Sequence, residues 1–158
     1  MCEALITFRN TRQGVQQYMN NKLEMARQFI KSIPHSRDLG MDLLKMADGM
    51  AIITMPYNIN LIGDPETGVI SGGAVSALID TCCGAAVMSH PLNLGGTATI
   101  DLRIDYMRPA TPGQTITTEA NCYHITRSVA FVRATAIDDD PDNPVATATG
   151  AFTVESLR

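Results

Sequence analysis

Charge is scarce in this chain. Asp, Glu, Lys and Arg make up 18% of its 158 residues, against 45% apolar, whereas an ordinary domain carries about 25% charged residues. So few charges on a small chain point to a surface partly hidden by self-association. No run of Lys or Arg occurs and the net charge is −4, so nucleic acid is not an expected partner. No apolar run reaches the length of a membrane span, and residues 1–30 lack the unbroken apolar core of a signal peptide. No membrane partner is therefore expected. Cysteine is limited to Cys2, Cys82, Cys83 and Cys122, with no C-x-x-C pair. Neighbouring Cys82 and Cys83 diverge by about 100° on a helix, a poor disulfide geometry. His35, His90 and His124 show no ligand spacing. The expectation is a protein without metal, in a reducing cytoplasm.

What remains reads as one α+β domain over residues 1–158, long enough to build a core without staples. Residues 1–8 read as a short strand or a loose end, and Asn10 or Thr11 as a helix cap. From about 12 to 32, Leu23, Met25, Ala26, Phe29 and Ile30 belong to an apolar stripe with steps of three and four, which is an amphipathic helix. Pro34 ends it. Residues 41–57 read as a hairpin turning at Ala47-Asp48-Gly49. Residues 58–70 read as a loop, and about 73–89 as a second helix. Residues 97–108 alternate, with Ile100, Leu102, Ile104 and Tyr106 on one face and Thr99, Asp101, Arg103 and Asp105 on the other. Three more strands follow at 114–126, 128–138 and 144–155. Asp138-Asp139-Asp140 reads as an exposed turn between the last two. Strands grouped in this way imply an antiparallel sheet with the helices on one side.

The most informative stretch is 67–100, which holds 34 residues and one formal charge, Asp80. A surface helix normally carries charges on its wet face. Here Val75, Leu78, Ile79, Cys82 and Ala86 form an apolar face. The opposite side, with Ser76, Ala77, Cys83, Gly84 and Val87, is small or neutral apart from the acid. A shielded helix makes an ionised carboxylate costly unless it is paired, hydrogen-bonded or open to a cleft. Asp80 is therefore the candidate reactive group. Ser76 and Gly84, one turn to either side, leave room for a substrate, and Cys83 adjoins it. Cys82 points to the apolar face, where a thiol is usually packing. Upstream, Ser71-Gly72-Gly73 opens the helix. Glycines there allow close approach of a ligand, and the free N–H groups of a first turn can hold an oxyanion. That combination suits acyl transfer.

The segment Gly68-Val69-Ile70-Ser71-Gly72-Gly73-Ala74-Val75-Ser76-Ala77-Leu78-Ile79-Asp80 resembles the signature of hotdog-fold thioesterases of the phenylacetate-degradation (PaaI-like) group. That signature is His-Gly-Gly followed by an acid nine positions after the His. Ser71 holds the His place and Asp80 the acid place. Thr97 to Ala110 with Gly113, Pro56-Tyr57 and Ala146 to Phe152 are also similar to family segments, so the likeness covers roughly residues 36–156. The resemblance implies an antiparallel sheet wrapped around the helix 73–89, with protomers pairing to continue the sheet as a homodimer or a dimer of dimers. It implies acyl-CoA substrates, with coenzyme A part of the substrate and no separate cofactor. Asp80 is implied as general base or nucleophile, the Gly72 N–H as the group polarising the carbonyl, and Thr99 as a hydroxyl orienting water. The site would join Gly72 of one protomer to Asp80 of the other. Gly73 and Ser71 would border the substrate. The family's loop Asn or Gln falls nearest Asp64, Pro65 or Glu66, with Asn60 further away as a candidate contact. Arg108 is a candidate for the CoA phosphates.

Two alternatives stand beside hydrolysis. One is a non-catalytic acyl-CoA-binding protein of the same fold. The other is a hydratase, which usually wants a His beside the acid, and no His adjoins Asp80 in sequence.

Overall fold

The computed structural model describes residues 12–93 and 95–155. The expected strand or loose end at 1–8 and the cap at Asn10 or Thr11 lie outside these. Helix α1 runs Arg12–Ser32. Pro34 ends it and also opens a short second helix, α2, Pro34–Asp38, whose N-cap is Ile33, since proline suits a first helical turn. Strands β1 (Asp42–Ala47) and β2 (Met50–Met55) form the expected hairpin. Its turn is two residues, Asp48 and Gly49, with φ of 51° and 85°. Both angles are positive, which is why Asp-Gly is the pair found there.

Residues 58–70 were expected as plain loop. They contain a 3-10 turn, Ile59–Leu61, and a small hairpin of β3 (Ile62–Asp64) and β4 (Val69–Ile70). Helix α3 then spans Gly72–Ser89, one residue longer at its start than expected. Strands β5 (Thr99–Tyr106), β6 (Ile116–Ile125), β7 (Val129–Ile137) and β8 (Ala146–Thr153) complete the chain. The main sheet is antiparallel with order β1-β2-β6-β7-β8-β5. It wraps α3 in the hotdog arrangement.

Period-two burial explains the wrap. Ala51, Ile53 and Met55 on β2 and Ile116, Thr118 and Ala120 on β6 are buried against Leu78, Ile79 and Cys82 of α3. Alanines at 130, 134 and 136 on β7 and at 146 and 148 on β8 are buried too, and their small size lets the helix lie close. At 18 residues and mean hydropathy 1.3, α3 has the length and composition of a membrane span, which corrects the expectation that no apolar run reaches that length. Its buried side chains show it to be the core of the domain.

Strand β5 departs from the simple alternation. Its pairing with β8 shifts between Thr99 and Asp101, so Thr99 faces Phe152, Asp101 faces Ala151, and Ile100 is the extra residue of a bulge. A bulge reverses the side on which the following residues point. Thr99 therefore joins Leu102, Ile104 and Tyr106 on the helix side, and Ile100 is 56% exposed. The expected faces were the reverse at this end. Gly150 permits the close approach, because a β-carbon there would lie 2.8 Å from the Asp101 carbonyl.

Arg108 and Asp138 also depart from expectation. The guanidinium grips the Asp138 carboxylate with two bonds of 2.8 and 2.6 Å and donates to the Asn143 carbonyl at 2.9 Å and the Pro109 carbonyl at 3.1 Å. Four of its five N–H donors are thus committed to the protein, so Arg108 is first of all a structural anchor in this chain. Asp138 is buried rather than part of an exposed turn, and it also accepts from the Thr111 N–H. The Arg108 hydrogen bonds hold its carboxyl well below the ordinary value near 3.8. A folded-state pKa that is lowered stabilises the fold above about pH 4 and loses that contribution as pH falls below it. Asp138→Asn should lower the melting temperature at pH 7, and the deficit should shrink steadily as the two proteins are melted at pH 4, 3 and 2. An equal deficit at every pH would show that the pair's charge contributes nothing.

Candidate active site

Asp80 sits in the middle of α3, half-buried, at a cleft of ≈ 590 Å³ between α1, α2, α3 and the start of β5. The Thr99 hydroxyl donates to its Oδ1 at 2.7 Å. Its Oδ2 has no partner among the described residues and is not a buried atom, so it is open to the cleft. The bulge at Ile100 is what delivers the Thr99 hydroxyl to this carboxylate. Gly84 lines the same cleft one turn further on. Along the helix, Gly73, Ser76, Asp80, Gly84 and Met88 make a stripe that is half-buried or exposed, while Cys83 and Val87 beside it are buried. The helix is therefore covered on its sheet side and uncovered along one line through the acid.

A second group of candidates lies at the helix start. Ser71 caps it, its hydroxyl accepting from the Gly73 N–H at 3.3 Å. The Gly72 N–H, at the first helical position, has no partner among the described residues, and Gly72 is exposed. First-turn amides lack intrahelical partners, so this one is free to bind an oxyanion. Tyr106 donates to the Gly72 carbonyl at 2.6 Å. The Ser76 hydroxyl lies 3.0 Å from that carbonyl and 2.7 Å from the Tyr106 hydroxyl. These bonds hold the first turn against the end of β5. Asn60, in the 3-10 turn, is exposed and bonded through its backbone to Asn58. Its neighbour Leu61 accepts the Ser71 N–H at 2.8 Å, which places Asn60 at the helix-start end as well.

The two groups are separate within one chain. Eight residues at about 1.5 Å each put Gly72 roughly 12 Å from Asp80 along the helix axis. Asp80, Thr99 and Gly84 come together, and Ser71, Gly72, Gly73 and Ser76 come together elsewhere.

Cys83, expected beside the substrate, is 1% exposed and does not line the cleft. Burial pushes both helix thiols up, Cys82 to about 12, so neither is a thiolate nucleophile near neutral pH. The Cys82 thiol donates to the Ala51 and Thr118 carbonyls at 3.4 and 3.3 Å, as a packing residue would.

Several residues at the cleft escaped sequence reasoning. His35, on α2, lines it together with Asp80, although 45 positions separate them and nothing local signals the contact. Met25 and Phe29, read as part of the apolar stripe of α1, are 72% and 52% exposed over the cleft. Tyr106 was legible only as one of the apolar positions of an alternating strand.

Known proteins share the sequence pattern and the fold. The Thioesterase superfamily model matches residues 67–145. Among curated proteins, the medium/long-chain acyl-CoA thioesterase YigI of Escherichia coli is 24% identical over 139 residues, covering 80% of this chain and 88% of that one. A solved structure from Pseudomonas aeruginosa is 38% identical with a TM-score of 0.74, covering 84% of this chain and 98% of that one. The E. coli PaaI protein, at 21% identity and TM-score 0.75 over 87% of this chain and 96% of its own, shares the fold. The matched span takes in the glycine turn, Asp80, Thr99 and half of all the residues present, and the chain belongs to the thioesterase superfamily.

Proposed function

We propose that this protein hydrolyses acyl-CoA thioesters at a site completed by two copies of the chain. The observation that carries the reading is the free Oδ2 of Asp80, in a cleft, on a carboxylate whose other oxygen is fixed by Thr99. Water bound at Oδ2 loses its proton to the carboxylate as its oxygen adds to the thioester carbonyl carbon. The resulting oxyanion is stabilised by the Gly72 N–H. The C–S bond then breaks, and Asp80 returns the proton to the departing thiolate. Free acid and free thiol are the products. Thr99 occupying Oδ1 favours a base over a carboxylate nucleophile.

Strand β5 supports the two-copy site. It is an edge strand, with Ile100 and Tyr106 at 56% and 50% exposure, and such edges invite pairing. Its two ends carry the two half-sites: Thr99 touches Asp80 and Tyr106 touches Gly72. An antiparallel pairing of β5 with its copy about a two-fold axis lays one strand's beginning against the other's end. Asp80 then meets the partner's Gly72, which one chain alone cannot arrange.

Release of free thiol from aromatic, short-chain and medium-chain acyl-CoAs tests the activity. Saturable binding without turnover of any ester would make this a binding protein instead. Mixing tests the shared site. Asp80→Asn and Gly72→Pro proteins, each inactive, should regain about a quarter of wild-type activity when unfolded and refolded together, since about half the dimers are mixed and each has one intact site. Absence of recovery in dimers shown to be mixed would confine the site to one chain.

A further inference from the structure

We infer that Met25 and Phe29 of α1 form the wall of the acyl pocket and select unbranched aliphatic acyl chains of medium or greater length. The inference rests on the thioesterase reading and names its substrate class.

Helix α1 carries two adjacent apolar strips with different fates. Leu23, Ala26 and Ile30 pack on the core. Met25 and Phe29, one turn apart, stand over the cleft at 72% and 52% exposure. Anchoring the helix does not require them: the Arg27 guanidinium donates to the Leu43 carbonyl at 3.0 Å, and Lys31 meets Asp42 at 2.9 Å. Two large apolar side chains left in water at positions that anchoring does not need mark a binding surface. They line the same cleft as Asp80, so their ligand is the part of the substrate that extends from the reacting carbonyl.

The chemistry of the wall indicates which acyl groups fit. Met46 and Met88 join Met25 and Phe29 at the cleft, beside the small Ala85 and Gly84. Thioether side chains adapt to a flexible chain and do not shape a rigid slot for a ring. An acyl chain whose carbonyl lies at Asp80 occupies the cleft that Met25 and Phe29 also line, and the longer the chain, the more of this apolar wall it covers. Because α1 is pinned to β1 by Arg27 and Lys31, the wall is in place before the substrate arrives.

Butyryl-, octanoyl-, dodecanoyl- and phenylacetyl-CoA should be compared as substrates of the full chain, with and without the paired changes Met25→Ala and Phe29→Ala. Wild type should prefer dodecanoyl- and octanoyl-CoA. In the double variant the ratio of kcat/KM for dodecanoyl- to butyryl-CoA should fall by about tenfold or more, the scale of losing a few methylene contacts. In parallel, calorimetry on Asp80→Asn protein, which should hold intact esters, should show dodecanoyl-CoA binding weakened by a similar factor when both side chains are removed. A ratio and an affinity that change less than about twofold would overturn the inference, as would a wild-type preference for phenylacetyl- or butyryl-CoA. Failure of the thioesterase reading looks different: no thiol is released from any ester by wild type, and the calorimetric comparison still decides what the wall binds.

Discussion

Asp80→Asn should leave the protein folded and lower kcat by roughly 10²–10⁴, the range over which a positioned proton acceptor contributes. The amide is nearly the same size as the carboxylate and keeps an oxygen able to accept from the Thr99 hydroxyl, so the one hydrogen bond recorded for the side chain survives. Only the charge and the proton affinity are lost. The acid is half-buried at a cleft rather than enclosed, so neutralising it should not change the melting temperature by more than about a degree or two. Thiol release and thermal melting on the same preparation are the measurements. Turnover within a few-fold of wild type would remove Asp80 from the reaction. A collapse in melting temperature matching the lost activity would make it a structural residue.

Gly72→Pro should lower kcat by about 10²–10³, the usual effect of deleting one oxyanion donor, and Gly72→Ala should lower it far less. The pair separates the N–H from the side chain. Proline is tolerated at a first helical position, where the amide has no helical partner. Ser71 already has the extended backbone that a following proline requires, with φ −56° and ψ 133°. A β-carbon at Gly72 meets the Tyr106 ring at 3.4 Å, close but near ordinary contact, and both variants carry it. If alanine and proline cost the same, the contact with Tyr106 is responsible and the amide is not the donor. If neither changes kcat, the oxyanion is held elsewhere.

The sequence by itself determined the core helix, the acid within it and the sheet around it. One charge in 34 residues is a local signal: an apolar helix must be covered, and an acid there must have a use. The Asp-Gly turn is equally local, set by the backbone angles of two residues. The resemblance added Thr99 and the expectation of a site shared between protomers. Tertiary structure decided the rest. The alternation of β5 puts Thr99 on the wrong face, because a bulge is set by the strand's neighbour β8 and by the lack of a side chain at Gly150. Arg108 looks like any free surface cation until Asp138, 30 residues away, comes to meet it. Met25 and Phe29 fit the apolar stripe of α1 by spacing alone, yet in the fold they stay exposed over the cleft that Asp80 also lines. In each case the determining partner is distant along the chain, and local periodicity records how a segment folds but not which other segment it meets.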